Sequence, residues 1–306
     1  MNKEFEINFV IFSPFPEYVT HIGGATVPHT LANQLSLLGE NVYVYSNTTN
    51  PKYNVTCIPW GTEIDFDPEN TIVIMIAGGG EHTFEHNIPD CLKNAPNMVR
   101  WLVNDQNKYY PEGEKFYTYH NYWNVLPNQK IDGELSVIEV DYDLFQDRGL
   151  KREGTCYLMK GNLDPNLEPE RIIHKPEDVC IDSILYNIPN FEKMKFYSEL
   201  FNRMEYFISY TPFTFTSVLA AMCGCKSIVI PRYEYDGRVF SKEKWLNEIW
   251  CAKYGIAVGL DDLPRAISTM DQVLPNIKHY EEITQPTQAK NFIEDCYVWL
   301  KEKYKL

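Results

Sequence analysis

Residues 205–231 read EYFISYTPFTFTSVLAAMCGCKSIVIP, and this stretch decides the fold. An apolar run of strand length at 206–210 is followed by a hydroxyl-rich turn at 211–217, a short apolar helix at 218–222 and a second β-branched strand. This order predicts a βαβ unit, whose first turn lies at the carboxyl edge of a parallel sheet. Open α/β sheets bind their ligands in loops at that edge.

Three hydroxyl side chains, those of Thr214, Thr216 and Ser217, fall at the predicted start of this helix. Free backbone N–H groups and the helix dipole at such a start favour an anion such as phosphate. Ser and Thr are also common helix caps, and capping alone would explain their presence. Both interpretations stay open on spacing alone.

The composition limits the classes of function. The 306 residues suit two domains of ordinary size. The formal net charge is −14, from 42 acidic and 28 basic residues, and it opposes a nucleic-acid partner because nucleic-acid binding needs a basic surface. The eight cysteines are scattered, so reduced thiols are expected rather than a zinc site or a disulfide framework. Neither a signal peptide nor an apolar stretch of membrane-spanning length is found, so a cytoplasmic protein without a transmembrane segment is expected.

The first half of the chain opens as another βαβ unit. A buried strand at 7–13 is followed by a loop that carries Gly23–Gly24, a helix at 28–38 and a strand at 41–45. The glycine pair lacks the GxGxxG spacing of dinucleotide-binding loops, so neither a nicotinamide nor a flavin cofactor is predicted. Further strands of this half are predicted at 71–77, 98–103, 115–120 and 136–140.

The alternation of predicted strands and helices begins again after a polar segment at 146–154, which is the expected interdomain linker. The sequence therefore predicts an α/β protein of two Rossmann-like domains that face a cleft. Their expected bounds are 1–148 and 149–285. A C-terminal helix at 286–306, with an apolar stripe, is expected to pack back on the domains.

The order of these segments resembles that of the GT-B glycosyltransferases, particularly the retaining nucleotide-sugar enzymes. Gly23–Gly24 resembles the glycine loop of that family, and residues 137–145, VIEVDYDLF, are similar to its "NGVDxxxF" passage. Residues 219–231, LAAMCGCKSIVIP, resemble the family's donor-site passage "EAMACGxPVI". Around "PFTFTSVLAAMCGC" and "KG" the chain is more similar to a divergent branch of bacterial polysaccharide transferases that includes rhamnosyltransferases.

This resemblance implies transfer of a hexose or deoxyhexose from a nucleotide-sugar donor to an acceptor hydroxyl. The acceptor would be a glycan or a lipid-linked or protein-linked saccharide. Retention of configuration is implied, and so is catalysis without a metal or another cofactor. The resemblance places the nucleotide sugar in the carboxy-terminal domain and the acceptor side in the amino-terminal domain, and it leaves the oligomeric state open.

The chain departs from the family at two positions. The family's donor stretch has two glutamates, and alignment on Cys223-Gly224 places these positions at Thr211 and Leu219, or one residue later. No acid stands at either position. The chain is therefore either a divergent branch that holds the donor through hydroxyls or a protein that has lost catalysis, and the closer resemblance to the polysaccharide transferases favours the divergent branch.

By the same resemblance, Lys160 with Gly161 beside it would meet the donor diphosphate. A lysine at the carboxyl end of a strand places a point charge beside a pyrophosphate leaving group. His120, at the end of a first-domain strand, would be the catalytic residue and face the donor sugar, although a lone histidine is often structural. Asp182 and His174 are further candidates for lining the nucleotide pocket. The other implied donor-binding residues are Gly23, Gly24, Thr211, Thr214, Thr216, Ser217 and Arg238.

Two other classes of function remain. A GT-B-shaped binding protein would hold a nucleotide or a glycan without turning the donor over, as the absent glutamates allow. A nucleotide-dependent oxidoreductase on a doubly wound fold is the less favoured alternative, because it needs the missing GxGxxG loop.

Overall fold

In a computed structural model, the chain folds into two compact units. Unit 1 comprises Met1–Glu139 and Glu281–Leu306, and unit 2 comprises Val140–Tyr280. The sequence places the corresponding boundary between 148 and 149 and treats the last helix as a separate segment. The structure describes residues 5–20, 23–77, 88–103, 109–119, 125–126, 128–159, 172–211, 214–230, 234–235, 238–239, 242–248 and 253–306.

The strands of unit 1 are β1 (Asn8–Phe12), β2 (Asn41–Tyr45), β3 (Thr56–Ile58), β4 (Thr71–Ala77), β5 (Met98–Leu102), β6 (Lys115–Thr118) and β7 (Gly133–Glu134). The strands of unit 2 are β8 (Thr155–Leu158), β9 (Val179–Cys180), β10 (Tyr206–Ser209), β11 (Lys226–Val229), β12 (Glu234–Tyr235), β13 (Arg238–Val239) and β14 (Ile256–Val258). The helices are α1 (Gly23–Leu37), α2 (Asp90–Lys93), α3 (Ile181–Leu185), α4 (Lys193–Phe201), α5 (Thr216–Met222), α6 (Lys242–Glu248), α7 (Leu263–Ser268), α8 (Val273–His279) and α9 (Gln285–Tyr304).

Unit 1 is built on a parallel sheet with strand order β3-β2-β1-β4-β5-β6-β7. Successive side chains of a strand point to opposite faces, and both faces of β1 are apolar. Phe9 and Ile11 pack on one side with Phe292 of α9, whereas Val10 and Phe12 pack on the other side. Burial on both faces is what a parallel sheet requires, so the predicted α/β architecture is confirmed for this unit.

The segment predicted as a strand at 136–140 is not a strand. Its backbone N–H groups bond to amide side chains of α9 instead: Ser136 N donates to Gln288 Oε1 at 3.0 Å and Ile138 N donates to Gln285 Oε1 at 2.8 Å. Val137 between them is fully buried. The apolar pattern therefore predicted the burial of this segment correctly. Side-chain oxygens of α9 accept the backbone hydrogen bonds that the carbonyls of a neighbouring strand would otherwise accept.

Unit 2 contains a second parallel sheet, with strand order β14-β11-β10-β8-β9. The predicted βαβ unit is present as β10, α5 and β11, with Phe207 of β10 aligned to Ser227 of β11. The apolar residues of α5 are buried from Val218 to Met222, which explains why so short a helix packs firmly on its sheet. A separate antiparallel hairpin joins β12 and β13.

The polar segment predicted as a linker, 146–154, is part of unit 2. Asn202 of the turn after α4 accepts from Arg148 N at 2.8 Å and donates to the Gln146 carbonyl at 3.1 Å. Arg152 donates to the Cys223 carbonyl at 2.8 Å. Gly224 has a φ of +79°, and a Cβ there would collide with the Asp147 and Arg152 side chains. The segment is thus exposed, as its polar composition indicates, but Arg148 and Arg152 tie it to the rest of unit 2.

In the part of the chain that the structure describes, no helix is long and apolar enough to cross a membrane.

Candidate functional site

The carboxyl edge of the unit 2 sheet carries the turn on which the sequence prediction centres. Strand β10 ends at Ser209, whose hydroxyl donates to the Thr211 carbonyl at 2.7 Å and accepts from Thr211 N at 3.2 Å. This Ser-centred turn fixes the backbone of Thr211 directly after the strand. Thr211 therefore lies at the sheet edge where open α/β folds bind ligands, as predicted from its position.

The start of α5 holds the other three predicted hydroxyls. Thr214 Oγ1 accepts from Thr216 N at 3.3 Å and donates to Thr216 Oγ1 at 2.9 Å. The N-cap residue of α5 is Phe215, which makes no side-chain capping hydrogen bond, so the hydroxyls do not cap this helix in the way that their spacing suggested. Ser217 is only 2% exposed, and its Oγ has no hydrogen-bond partner among the described residues. The first turn of α5 also contains no acidic residue. Phosphate binding by these hydroxyls remains a prediction.

Four of the predicted site residues fall outside what the structure describes. Residues His120, Lys160 and Gly161 lie beyond the described ranges, and so does the side chain of Arg238, whose backbone belongs to hairpin strand β13. The roles inferred for these four residues from the sequence stay predictions. No group of three His, Cys, Asp or Glu side chains that could hold a metal ion is found within the described ranges.

The glycine pair lies in a helix, and its predicted place in a loop is wrong. Helix α1 begins at Gly23, and Thr26 Oγ1 donates back to the Gly23 carbonyl at 3.1 Å. The spacing of the apolar residues predicted a helix at 28–38. The helix instead runs through Pro28 and gives up one backbone hydrogen bond there. Among the described residues, no atom lies within 4 Å of the Cβ position of either Gly23 or Gly24.

Three aromatic residues, Tyr157, His174 and Tyr210, pack together at the same edge of the unit 2 sheet. The Tyr210 hydroxyl accepts from Ile173 N at 3.0 Å and from His174 N at 3.3 Å, and it lies 2.8 Å from His174 Nδ1. The His174 ring stacks on Tyr157 with a centroid separation of 3.8 Å. Burial lowers the pKa of His174, although the nearby Asp178 charge opposes this shift. When Nδ1 of a neutral His174 carries no hydrogen, it accepts a hydrogen bond from the Tyr210 hydroxyl, whose oxygen can then accept both backbone N–H groups.

A second polar cluster, in unit 1, was not predicted. His29 of α1 is fully buried, its Nδ1 lies 2.9 Å from Thr49 Oγ1, and its Nε2 has no hydrogen-bond partner among the described residues. Tyr18 packs edge-on against its ring at 4.9 Å. These three residues come from α1 and from two loops that follow β1 and β2. No local pattern could have joined them, because their proximity depends on the folded sheet.

Substitution of His29 by glutamine is expected to reduce the acid sensitivity of the fold. Burial lowers the pKa of His29 from 6.5 to about 4, so the unfolded chain binds a proton between these pH values while the folded chain does not. The free energy of unfolding therefore falls as the pH drops, and His29 accounts for about 2 kcal/mol of the loss between pH 7 and pH 4.5. Urea unfolding of His29→Gln and the parent at both pH values measures this difference. An equal loss in both proteins would contradict it.

Comparison with known proteins gives only distant similarities. No protein-family model and no curated protein matches the chain. The spinosyn forosaminyltransferase SpnP matches with 12% identity over 97% of this chain and 95% of its own, at a TM-score of 0.38. The glycosyltransferase SnogD from Streptomyces nogalater matches with 11% identity over 95% of this chain and 99% of its own, at a TM-score of 0.36. At these values neither structure assigns a fold or an activity to this chain.

Proposed function

We propose that this chain is a glycosyltransferase that moves a hexose or deoxyhexose from a nucleotide-sugar donor to a hydroxyl of a glycan or of a lipid-linked or protein-linked saccharide. The donor site lies at the carboxyl edge of unit 2, and unit 1 serves the acceptor. The reaction proceeds with retention and requires no metal. This assignment places the protein in the divergent, rhamnosyltransferase-like branch that its sequence resembles.

The observation that carries the proposal is the β10–α5–β11 unit. It brings Thr211, Thr214, Thr216 and Ser217 to one edge of a parallel sheet, in the order that the resemblance to donor-site passages implies. Hydroxyls in this turn would replace the two glutamates that related enzymes use to hold the donor.

The chemistry assigned to these side chains is stabilisation of the departing diphosphate. The hydroxyls of the turn would donate hydrogen bonds to phosphate oxygens, and Lys160 would add a positive charge where negative charge develops as the sugar–phosphate bond breaks. Such a positive charge lowers the activation barrier, because it interacts more strongly with the diphosphate in the transition state than with the intact donor in the ground state. His120 would contact the donor sugar.

A thermal-shift panel tests the proposal. Nucleoside diphosphates and nucleotide sugars based on uridine, guanosine, thymidine and adenosine would be compared with NAD and NADP, each with Mg²⁺ and with EDTA. A ligand that binds only the folded chain raises the melting temperature by mass action. A shift from one nucleotide family that persists in EDTA is expected. A panel in which NAD or NADP alone shifts the transition would contradict the proposal and favour an oxidoreductase.

A further inference from the structure

Two buried or half-buried side chains hold the backbone at the carboxyl edge of the unit 2 sheet. Asp182 Oδ2, in the first turn of α3, accepts from Met159 N at 2.7 Å, directly after strand β8. The hydroxyl of Tyr210, a residue only 2% exposed, accepts from the successive N–H groups of Ile173 and His174. Both contacts connect segments that are distant in sequence, and both lie where β8 and β10 end.

These contacts adjoin the residues that the sequence links to the donor. Met159 directly precedes Lys160, and Tyr210 directly precedes Thr211. The Tyr210 N–H also donates to the Leu158 carbonyl at 3.0 Å, which ties the ends of β8 and β10 together. A displacement of the Met159 or Tyr210 backbone would therefore be passed on to a neighbouring residue of the proposed site.

We propose that Asp182 and Tyr210 are positioning residues of the donor site that do not touch the donor themselves. Asp182 holds the backbone of Met159, which precedes Lys160 in the sequence. The hydroxyl of Tyr210 anchors the residue that precedes Thr211 to the segment before β9. The inference rests on the function proposed above. Its physical basis is that binding groups must be held close to their productive geometry, since a misplacement of about 1 Å costs much of their effect. The carboxylate is a fixed acceptor for the Met159 N–H at the end of β8. The hydroxyl is a fixed acceptor for two N–H groups of the segment before β9.

The test compares affinity with stability in four variants. Tyr210→Phe removes one hydroxyl, Asp182→Ala removes the acceptor for Met159 N, and Asp182→Asn restores an oxygen acceptor there. Tyr45→Phe is the matched control, because the Tyr45 hydroxyl in unit 1 also bonds to backbone groups, donating to the Thr62 carbonyl and accepting from Gly61 N, each at 2.9 Å. The dissociation constants of UDP, GDP, dTDP and ADP are measured by titration calorimetry, and melting temperatures are recorded beside them.

Tyr210→Phe and Asp182→Ala are expected to weaken binding of the nucleotide preferred by the parent chain by about tenfold, and Asp182→Asn is expected to recover most of this loss. Tyr45→Phe is expected to lower the melting temperature and leave the affinity unchanged. Unchanged affinity in both Tyr210→Phe and Asp182→Ala would overturn the positioning role while the proposed function stands. An equal loss in Tyr45→Phe would show a general effect of destabilisation and would also overturn it. A parent chain that binds none of the four nucleotides would overturn the proposed function together with this inference.

Discussion

Replacement of Asp262 by alanine is expected to lower the free energy of unfolding by about 2–3 kcal/mol, because it removes a buried carboxylate that pairs with Arg265 and with Lys242. Asp262 is 4% exposed and both of its oxygens bond to Arg265, with Nε to Oδ1 at 2.9 Å and Nη2 to Oδ2 at 2.7 Å. Oδ2 also accepts from Val258 N, at the end of strand β14. Burial opposes ionisation of this carboxyl, but its hydrogen bonds with Arg265 and Val258 outweigh that effect and lower the pKa of Asp262.

Urea unfolding followed by circular dichroism measures this loss. Asp271→Ala is the matched control, because Asp271 is an exposed acid nearby in the sequence of the same unit, and its removal is expected to change stability by less than about 0.5 kcal/mol. A loss below about 1 kcal/mol in Asp262→Ala would contradict the role of this ion pair in holding the end of β14.

Replacement of Lys160 by alanine is expected to weaken binding of the nucleoside diphosphate by about ten- to a hundredfold. Hydrogen bonds to charged groups contribute about 1.5–3 kcal/mol, and the proposed site assigns the Lys160 ammonium to the diphosphate. Lys151→Ala is the control, because the Lys151 side chain is 87% exposed and pairs with Glu153 shortly before strand β8. Titration calorimetry of both variants gives the two affinities. A Lys160→Ala protein that binds as tightly as the Lys151→Ala protein would remove Lys160 from the site.

Local patterns in the sequence predicted most strands of the two parallel sheets, but they missed the short strands β3 and β7. The strands Asn41–Tyr45 and Thr71–Ala77 have the predicted bounds, because buried parallel strands read as short apolar runs between polar turns. The prediction of a strand at 136–140 failed for a non-local reason. That segment pairs with the Gln285 and Gln288 side chains of a helix far along the chain, and no periodicity within the segment reports such a partner.

In the candidate site, too, the local pattern predicted which residues lie at the sheet edge, whereas the contacts between distant segments could not be predicted. The sequence predicts that Thr211 and Ser217 fall at the edge of a sheet, because a βαβ pattern fixes which end of a strand its turn follows. It could name Asp182 and His174 only as candidates for a pocket. Their contacts with Met159 and Tyr210 depend on how α3 and the segment before β9 fold over the neighbouring strands.

Turnover of the donor is the most direct test of the central claim. The chain would be incubated in EDTA with the nucleotide sugar that gives the largest thermal shift, together with a panel of saccharide acceptors, and phosphorus NMR would follow the conversion of the donor to nucleoside diphosphate. We expect the nucleoside diphosphate to accumulate together with an acceptor that carries one added sugar. A donor that binds but stays intact with every acceptor would contradict the assignment as a transferase and would favour the inactive nucleotide-binding protein that the two absent glutamates allow.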